Sequence, residues 1–269
     1  MTSRALVLAR GLGRRMQTVD GITLNDEQRN AADAGLKAML PIEGRPFLDY
    51  VLSSLADAGI SRAALIVAPD HDAIRRRYVE DCAPERIGVD FVVQVEPTGT
   101  APAVLAAEDW TSGEPFLVVN GDNLYPSDVL RRLAAQPEAA CPVFPRDELV
   151  RTSNIPADRV QDFALLDVDD DGYVSAIVEK PLAARLAAAG ASAGVSMNCW
   201  RLDSRMFPFC RAVPRSVRGE FELPEAVGLA LERGVRFRAI RGHGPVLDLS
   251  KRGDIASVER QLAGVLARP

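Results

Sequence analysis

The chain has 269 residues, 47% of them hydrophobic and 26% charged, a balance that suits a soluble folded domain with a sizeable core. Its 32 Lys and Arg against 37 Asp and Glu leave a net charge of −5, so no basic field exists to draw in a nucleic acid. Cys82, Cys141, Cys199 and Cys210 show no CxxC spacing, which argues against a zinc site or disulfide framework and for a reducing cytoplasm, and no stretch approaches the ~20 apolar residues that span a membrane.

In chain order, Ala5-Leu6-Val7-Leu8-Ala9 reads as a buried strand entering the tight loop Gly11-Leu12-Gly13, and it is too short for a signal peptide. Pro46 leads a helix whose Phe47, Val51, Leu55 and Ala58 share one face, with Gly59 at its C-terminal cap. Ala63 to Ala68 is a second buried strand. Asp70 starts a polar helix whose run Arg75-Arg76-Arg77 reads as a solvated face. Val89 to Val93 and Phe116 to Val119 are the third and fourth strands. This alternation implies βαβ units and an α/β fold: a Rossmann-like three-layer α/β/α arrangement with a mostly parallel central sheet.

From about residue 140 the pattern changes. Phe163 to Val168 and Tyr173 to Val178 flank Asp169-Asp170-Asp171-Gly172, a hairpin turn. There follow an Ala-rich helix near Ala183 to Ala189, a strand near Val195 to Trp200 and a helix from about Glu222. Ile255, Val258, Leu262 and Val265 stripe a last helix. One domain is expected over 1–269, its second half adding a smaller, more antiparallel subregion, with a C-terminal strand and helix over about 236–269 returning to the core.

Six short segments carry side chains suited to phosphate chemistry. In Leu8-Ala9-Arg10-Gly11-Leu12-Gly13-Arg14-Arg15-Met16, two glycines let backbone amides approach a phosphate and an arginine can neutralise it. A tight βα turn explains the same glycines, and a dinucleotide fingerprint wants a third glycine where Met16 stands. Lys37, ahead of Ala38-Met39-Leu40-Pro41-Ile42, can reach a phosphate or be a plain surface lysine. Gln94 ends a strand, where its amide can read a base edge. Gly99-Thr100 opens a helix whose N-terminus favours anions, or is a turn with Thr near the N-cap. Asn120-Gly121-Asp122 ends an apolar strand, where ligands bind in open α/β sheets, and its carboxylate suits Mg²⁺. Glu179-Lys180-Pro181 and Leu247-Asp248-Leu249-Ser250 place further charges at strand ends.

Taken in order, these segments resemble the sugar-1-phosphate nucleotidyltransferases, the family of glucose-1-phosphate thymidylyltransferase and mannose-1-phosphate guanylyltransferase. The family loop L-A-x-G-x-G-[TE]-R-[LM] is matched by Leu8, Ala9, Gly11, Gly13, Arg15 and Met16. Its K-x-[LM]-x-P-[IV]-x-x-[KR]-P runs from Lys37 through Pro46, and its Q-x-x-P-x-G-[TL]-A from Gln94 through Ala101. Its GD falls on Gly121-Asp122, its E-K-P on Glu179 to Pro181, and its late carboxylate on Asp248. Arg10 departs from the usual Gly or Ala, Arg14 from a small or acidic residue, and Ala164 from a glycine near the sugar. Arg15 and Lys37 stand further apart than is common, the extra residues from Asn25-Asp26-Glu27-Gln28 suggesting a helix over the site. No C-terminal β-helix acyltransferase domain is expected.

The resemblance implies in-line attack of a sugar 1-phosphate on the α-phosphorus of an NTP, with Mg²⁺ as cofactor and no covalent enzyme intermediate. It assigns Arg15, Lys37 and Asp122 to catalysis. Leu8, Ala9, Gly11, Gly13, Arg15, Gln94, Gly99 and Thr100 fall to the nucleotide, within a nucleotide-binding part of about 1–135. Gly121, Glu179, Lys180 and Asn198 fall to the acceptor, with an acceptor-binding part of about 140–235, and Asp122 and Asp248 to the metal. The implied partners are an NTP and a sugar or cyclitol 1-phosphate, with a homodimer open. A silent regulatory relative and a cytidylyltransferase of isoprenoid or alditol-phosphate type are the alternatives.

Overall fold

The structure is a computed structural model, and it describes residues 1–269 other than Leu12, 19–21, Thr23, Lys180, Ala183, Ala184, Leu186, Ala187, Ala191 and Ser192. Its strands in chain order are β1 (Arg4–Leu8), β2 (Pro41–Ile42), β3 (Arg45–Pro46), β4 (Arg62–Val67), β5 (Gly88–Val93), β6 (Phe116–Asn120) and β7 (Asn123–Leu124). After these come β8 (Ala140–Pro145), β9 (Ala164–Val168), β10 (Val174–Val178), β11 (Gly194–Ser196), β12 (Trp200–Leu202), β13 (Arg238–Arg241) and β14 (Leu247–Asp248).

Strand alternation builds the layers. Ala5 and Val7 of β1 enter one hydrophobic cluster and Leu6 the other, all fully buried. β4 divides in the same way, Ala63, Leu65 and Val67 against Ala64 and Ile66, as does β6 with Leu117 and Val119 against Phe116 and Val118. Strands apolar on both faces need cover on both. Helices Phe47–Asp57, Ser127–Ala134 and Ile255–Leu262 contribute to one cluster, and helices Thr100–Ala106, Phe207–Ala212 and Leu223–Glu232 to the other. Each fully buried Leu, Val or Phe contributes about 1.5–3 kcal/mol relative to exposure, so these seams make the sheet a rigid platform.

The main sheet has the order β10-β9-β11-β8-β12-β6-β1-β4-β5, with β13 added to β8. β5, β4, β1 and β6 are parallel neighbours. The pairings make β8, β9 and β13 run the same way, with β10, β11 and β12 opposed, so the sheet is mostly parallel and its antiparallel ladders gather at one side. β9 and β10 form the expected hairpin, in which Asp169 Oδ1 accepts from Tyr173 N at 2.8 Å and Gly172 takes φ 78°. No helix among the described residues is long and apolar enough to cross a membrane.

Three expectations change. The run from Val195 to Trp200 is two strands, because Asn198 takes the left-handed φ of 54° between them, so β11 pairs with β8 and β9 while β12 pairs with β6 and β8. Val265 lies beyond the last helix and is 48% exposed. Within Arg75-Arg76-Arg77, Arg77 turns inward onto the buried Asp49 carboxylate at 2.6 Å. The Ala-rich helix near Ala183 to Ala189 falls largely on residues outside those described.

Candidate active site

The carboxyl ends of β1, β5 and β6 open onto a cavity of about 470 Å³. The chain leaves β1 at Leu8 and turns through Gly11 and Gly13. Gly13 has φ 61°, and a Cβ there would lie 2.7 Å from the Gly35 carbonyl oxygen, so glycine alone lets this loop pack onto Gly35. The turn enters helix Arg14–Gln17, with Arg14 and Arg15 at the cavity wall and Met16 buried. Arg15 faces Asp162 at 3.9 Å, a half-exposed pair that solvent screens and that holds the guanidinium only weakly.

Arg10 has a structural role that its motif does not show. Its Nε donates to the Gln94 carbonyl at 3.3 Å and its Nη2 to that of Val95 at 3.1 Å, stapling the first loop to the exit of β5. Burial lowers its pKa against the opposing pull of Asp70 and Glu96. Buried Arg252 braces the loop from behind, donating Nε to the Met16 carbonyl at 2.8 Å and pairing through Nη2 with Asp33 at 2.8 Å. Asp33 ends helix Asp26–Asp33, which Asn25 and Gln28 start with a capping box. None of this helix's residues borders the cavity. Helix Asp26–Asp33 therefore buttresses the loop and does not roof the site.

Gln94 is buried, its Nε2 donating to the Gly99 carbonyl at 3.0 Å, and its Oε1 accepts from no described residue. Gly99 has φ 133°, and a Cβ there would fall 2.3 Å from the Phe221 carbonyl oxygen. Thr100 Oγ1 accepts from Leu223 N at 2.8 Å and Thr98 O from Phe221 N at 2.8 Å. These bonds fasten the nucleotide-side turn to the segment leading into helix Leu223–Glu232, and they satisfy an amide at that helix's start.

At the end of β6, Gly121 N donates to the Leu8 carbonyl at 2.9 Å. Asp122 follows, its Oδ2 in an ion pair with Lys37 Nζ, while its Oδ1 accepts no hydrogen bond from a described residue. Leu249 N donates to the Asp122 carbonyl at 2.9 Å, which brings β14 alongside β7. Asp248 is buried there: its Oδ1 accepts from Asn123 Nδ2 and Ser250 Oγ, both at 3.0 Å, and its Oδ2 pairs with Arg159. Arg159 also donates to Asp254 Oδ1 at 2.6 Å.

The far wall carries Ala164, Glu179, Asn198, Arg218 and Glu222. Arg218 donates Nη2 to Glu222 Oε1 at 3.0 Å. Burial pulls its pKa down, but Glu222, Glu220 and Glu179 outweigh that and raise it. Asn198 donates Nδ2 to Asn120 Oδ1 at 2.9 Å and accepts from Trp200 Nε1 at 2.8 Å. Lys180 lies outside the described residues, and its neighbour Glu179 borders the cavity.

Every other residue that the sequence singled out for substrate or metal lines this cavity: Leu8, Ala9, Gly11, Gly13, Arg15, Lys37, Gln94, Gly99, Thr100, Gly121, Asp122, Glu179, Asn198 and Asp248. Sequence reasoning gave no role to Asn120, Asn123, Arg159, Asp162, Arg218 and Glu222, which line it too. Asn120 and Asn123 flank Gly121-Asp122, and Arg218-Gly219-Glu220 is a polar run before a helix, so both had a local signal. Arg159 had none.

Residues 32–246 match the family model described as nucleotidyl transferase. Over 259 residues the chain is 25% identical to a UTP–glucose-1-phosphate uridylyltransferase of Haloferax volcanii, covering 96% of each protein. It is 26% identical over 268 residues to a glucose-1-phosphate thymidylyltransferase of Streptomyces antibioticus, covering 96% of this chain and 65% of that one. Among solved structures, a UDP-glucose pyrophosphorylase complexed with UDP-glucose superimposes with a TM-score of 0.76 over 98% of this chain and 99% of the other, at 17% identity, a likeness of fold. The matched span, the motifs and the cavity they line agree: the chain is an enzyme of the nucleotidyl transferase family.

Proposed function

We propose that the protein condenses an NTP with a sugar 1-phosphate, giving an NDP-sugar and pyrophosphate. The observation that supports this most is the meeting of the glycine loop, the Lys37–Asp122 pair and the Glu179–Arg218 wall around one cavity. An oxygen of the acceptor phosphate attacks the α-phosphorus, the bond to the pyrophosphate oxygen breaks, and pyrophosphate leaves with that electron pair. Such a reaction needs alignment and charge neutralisation more than covalent chemistry.

The amides of Gly11 and Gly13 together with Arg15 hold the triphosphate, and Gln94 presents Oε1, which accepts from no described residue, to the base, within the part of the chain up to about residue 135. Lys37 moves from Asp122 onto the α-phosphate or the leaving oxygens. Glu179 accepts from acceptor hydroxyls. Lys180 and Arg218 take the acceptor phosphate, and Asn198 adds a polar contact, within the part from about 140 to 235.

The donor set fits Mg²⁺. This ion favours one or two carboxylates with substrate phosphates and water over an all-protein cage. No group of three or more His, Cys, Asp or Glu among the described residues could hold a metal; Asp122 Oδ1 accepts from no described residue and is the open donor, whereas both oxygens of the buried Asp248 are engaged by Asn123, Ser250 and Arg159. Asp122 would hold such an ion, which when bound would offset the repulsion between phosphate oxygens.

The test is pyrophosphate release with each common NTP against hexose and cyclitol 1-phosphates, with and without Mg²⁺. Turnover that needs one NTP, one phosphorylated acceptor and the metal is expected. Its absence across the panel would overturn the reading.

A further inference from the structure

Along the cavity and into the core behind it, five side chains, four of them lining the cavity, form one unbroken line of hydrogen bonds. Trp200 Nε1 donates to Asn198 Oδ1 at 2.8 Å, and Asn198 Nδ2 to Asn120 Oδ1 at 2.9 Å. Asn120 Nδ2 donates to Asn123 Oδ1 at 2.9 Å, and Asn123 Nδ2 to Asp248 Oδ1 at 3.0 Å. The five residues come from β12 and the turn before it, from the β6–β7 junction and from β14, segments that the chain keeps far apart.

The polarity of this line is fixed at both ends. An indole N–H only donates and an ionised carboxylate only accepts. The three amides between them satisfy every bond in a single arrangement, each carbonyl toward Trp200 and each NH₂ toward Asp248. Flipping any one sets carbonyl against carbonyl or NH₂ against NH₂. Trp200, Asn123 and Asp248 are buried, so a mismatched group there finds no water to bond. The backbone serves the same end. Asn198 is in the left-handed region that asparagine tolerates better than most side chains, and that conformation separates β11 from β12. Arg159 closes the far end by pairing with Asp248 Oδ2.

We propose that this line is a directional relay, in which Asn120 and Asn123 are positioning residues that hold Asp248 in register with Asn198. The inference rests on the proposed function, which sets Asn198 on the acceptor side and Asp248 on the side of the metal and triphosphate. An acceptor group that engages Asn198 acts on one end, and a change in the charge facing Asp248 acts on the other. Binding of the two substrates is then coupled through Asn120, and the coupling is reciprocal.

Two measurements test it. The chain has two tryptophans, Trp110 and Trp200, so a nitrogen–proton spectrum shows two indole signals, which Trp110→Phe assigns. In the protein alone, Asn123→Ala should move the Trp200 indole proton upfield while Trp110, bonded to Asp90, stays put. Asn120→Ser, at a less buried position, should do the same if Asn123→Ala folds poorly. A Trp200 signal unmoved in a folded variant overturns the relay, and this arm needs no substrate. In the second arm, Asn198→Ala and Asn123→Ala should each lower kcat/KM for pyrophosphate release about tenfold. The double variant should also lose about tenfold, because one relay is broken once, whereas independent roles give about a hundredfold. Additive losses overturn the coupling. A wild-type protein with no pyrophosphate release at all overturns the functional reading, and the spectral arm still decides the relay.

Discussion

Lys37 Nζ pairs with the Asp122 carboxylate across 85 residues of sequence, and the two side chains are 19% and 23% exposed at the base of the cavity. The pair stores two opposite charges beside the proposed reacting phosphorus without leaving either uncompensated. It also binds the end of β6 to the turn Lys37–Met39, so the site is held together by groups that its substrates would use.

Asp122→Asn keeps the size of the side chain and a hydrogen-bonding oxygen for Lys37, so the fold should persist. Turnover should fall about a hundredfold or more as the hard anionic donor is lost. The wild-type protein with NTP should gain thermal stability on adding Mg²⁺ and lose that gain with EDTA, and the variant should show little of either. Near-normal turnover by Asp122→Asn at ordinary Mg²⁺ removes Asp122 from the site.

Gln94→Ala separates base reading from chemistry. The phosphate contacts remain, so KM for the NTP should rise and base preference relax while kcat changes less. A loss of roughly 1–3 kcal/mol in kcat/KM is expected from one unpaired base edge. An unchanged preference profile over four NTPs would mean that another group reads the base.

Gly99→Ala attacks the same wall through the backbone. The new methyl meets the Phe221 carbonyl at 2.3 Å, and φ 133° is strained for any side chain. The segment holding Phe221 and Thr100 must shift, at a cost of about 1–3 kcal/mol read from urea unfolding. Gly11→Ala is the control: nothing lies within 4 Å of its added Cβ, and its unfolding midpoint should hardly move.

Lys180→Ala should bind NTP and Mg²⁺ with near-normal affinity by calorimetry yet need far more acceptor, because the role proposed for its ammonium is to align the attacking phosphate. Lost NTP affinity with a normal acceptor KM would move Lys180 to the nucleotide side. Arg218→Ala should resemble Lys180→Ala in acceptor KM.

What the sequence disclosed follows from the range of the interactions. β1, β4 and β6 were legible within a residue because each is a short apolar run that must be buried on both faces, and burial is written locally. The glycine loop was legible for a similar reason, since Gly13 and Gly99 answer steric demands that only glycine meets. The turn at Asn198 was hidden, because its neighbours are apolar and a left-handed asparagine leaves no period. Arg159 was hidden more deeply: its partner Asp254 lies 95 positions away, and the turn around it is unremarkable. Pattern reading finds residues that serve their own strand or helix and passes over those that serve a distant one.

The bond from Arg252 to the Met16 carbonyl spans 236 positions, and that from Gln28 to Glu259 spans 231. The loop after β1 is therefore braced by a residue 236 positions away. A growing chain can pair β1 with β4 and β6 well before Arg252 has been made, but its phosphate loop stays unlatched until then. Closure over such a distance is slow, because the entropy of joining remote segments comes due before their contacts reward it. The sheet and the loop it carries thus have different requirements: β1 can pair with β4 and β6 without Arg252, but the loop after β1 has no brace until Arg252 docks.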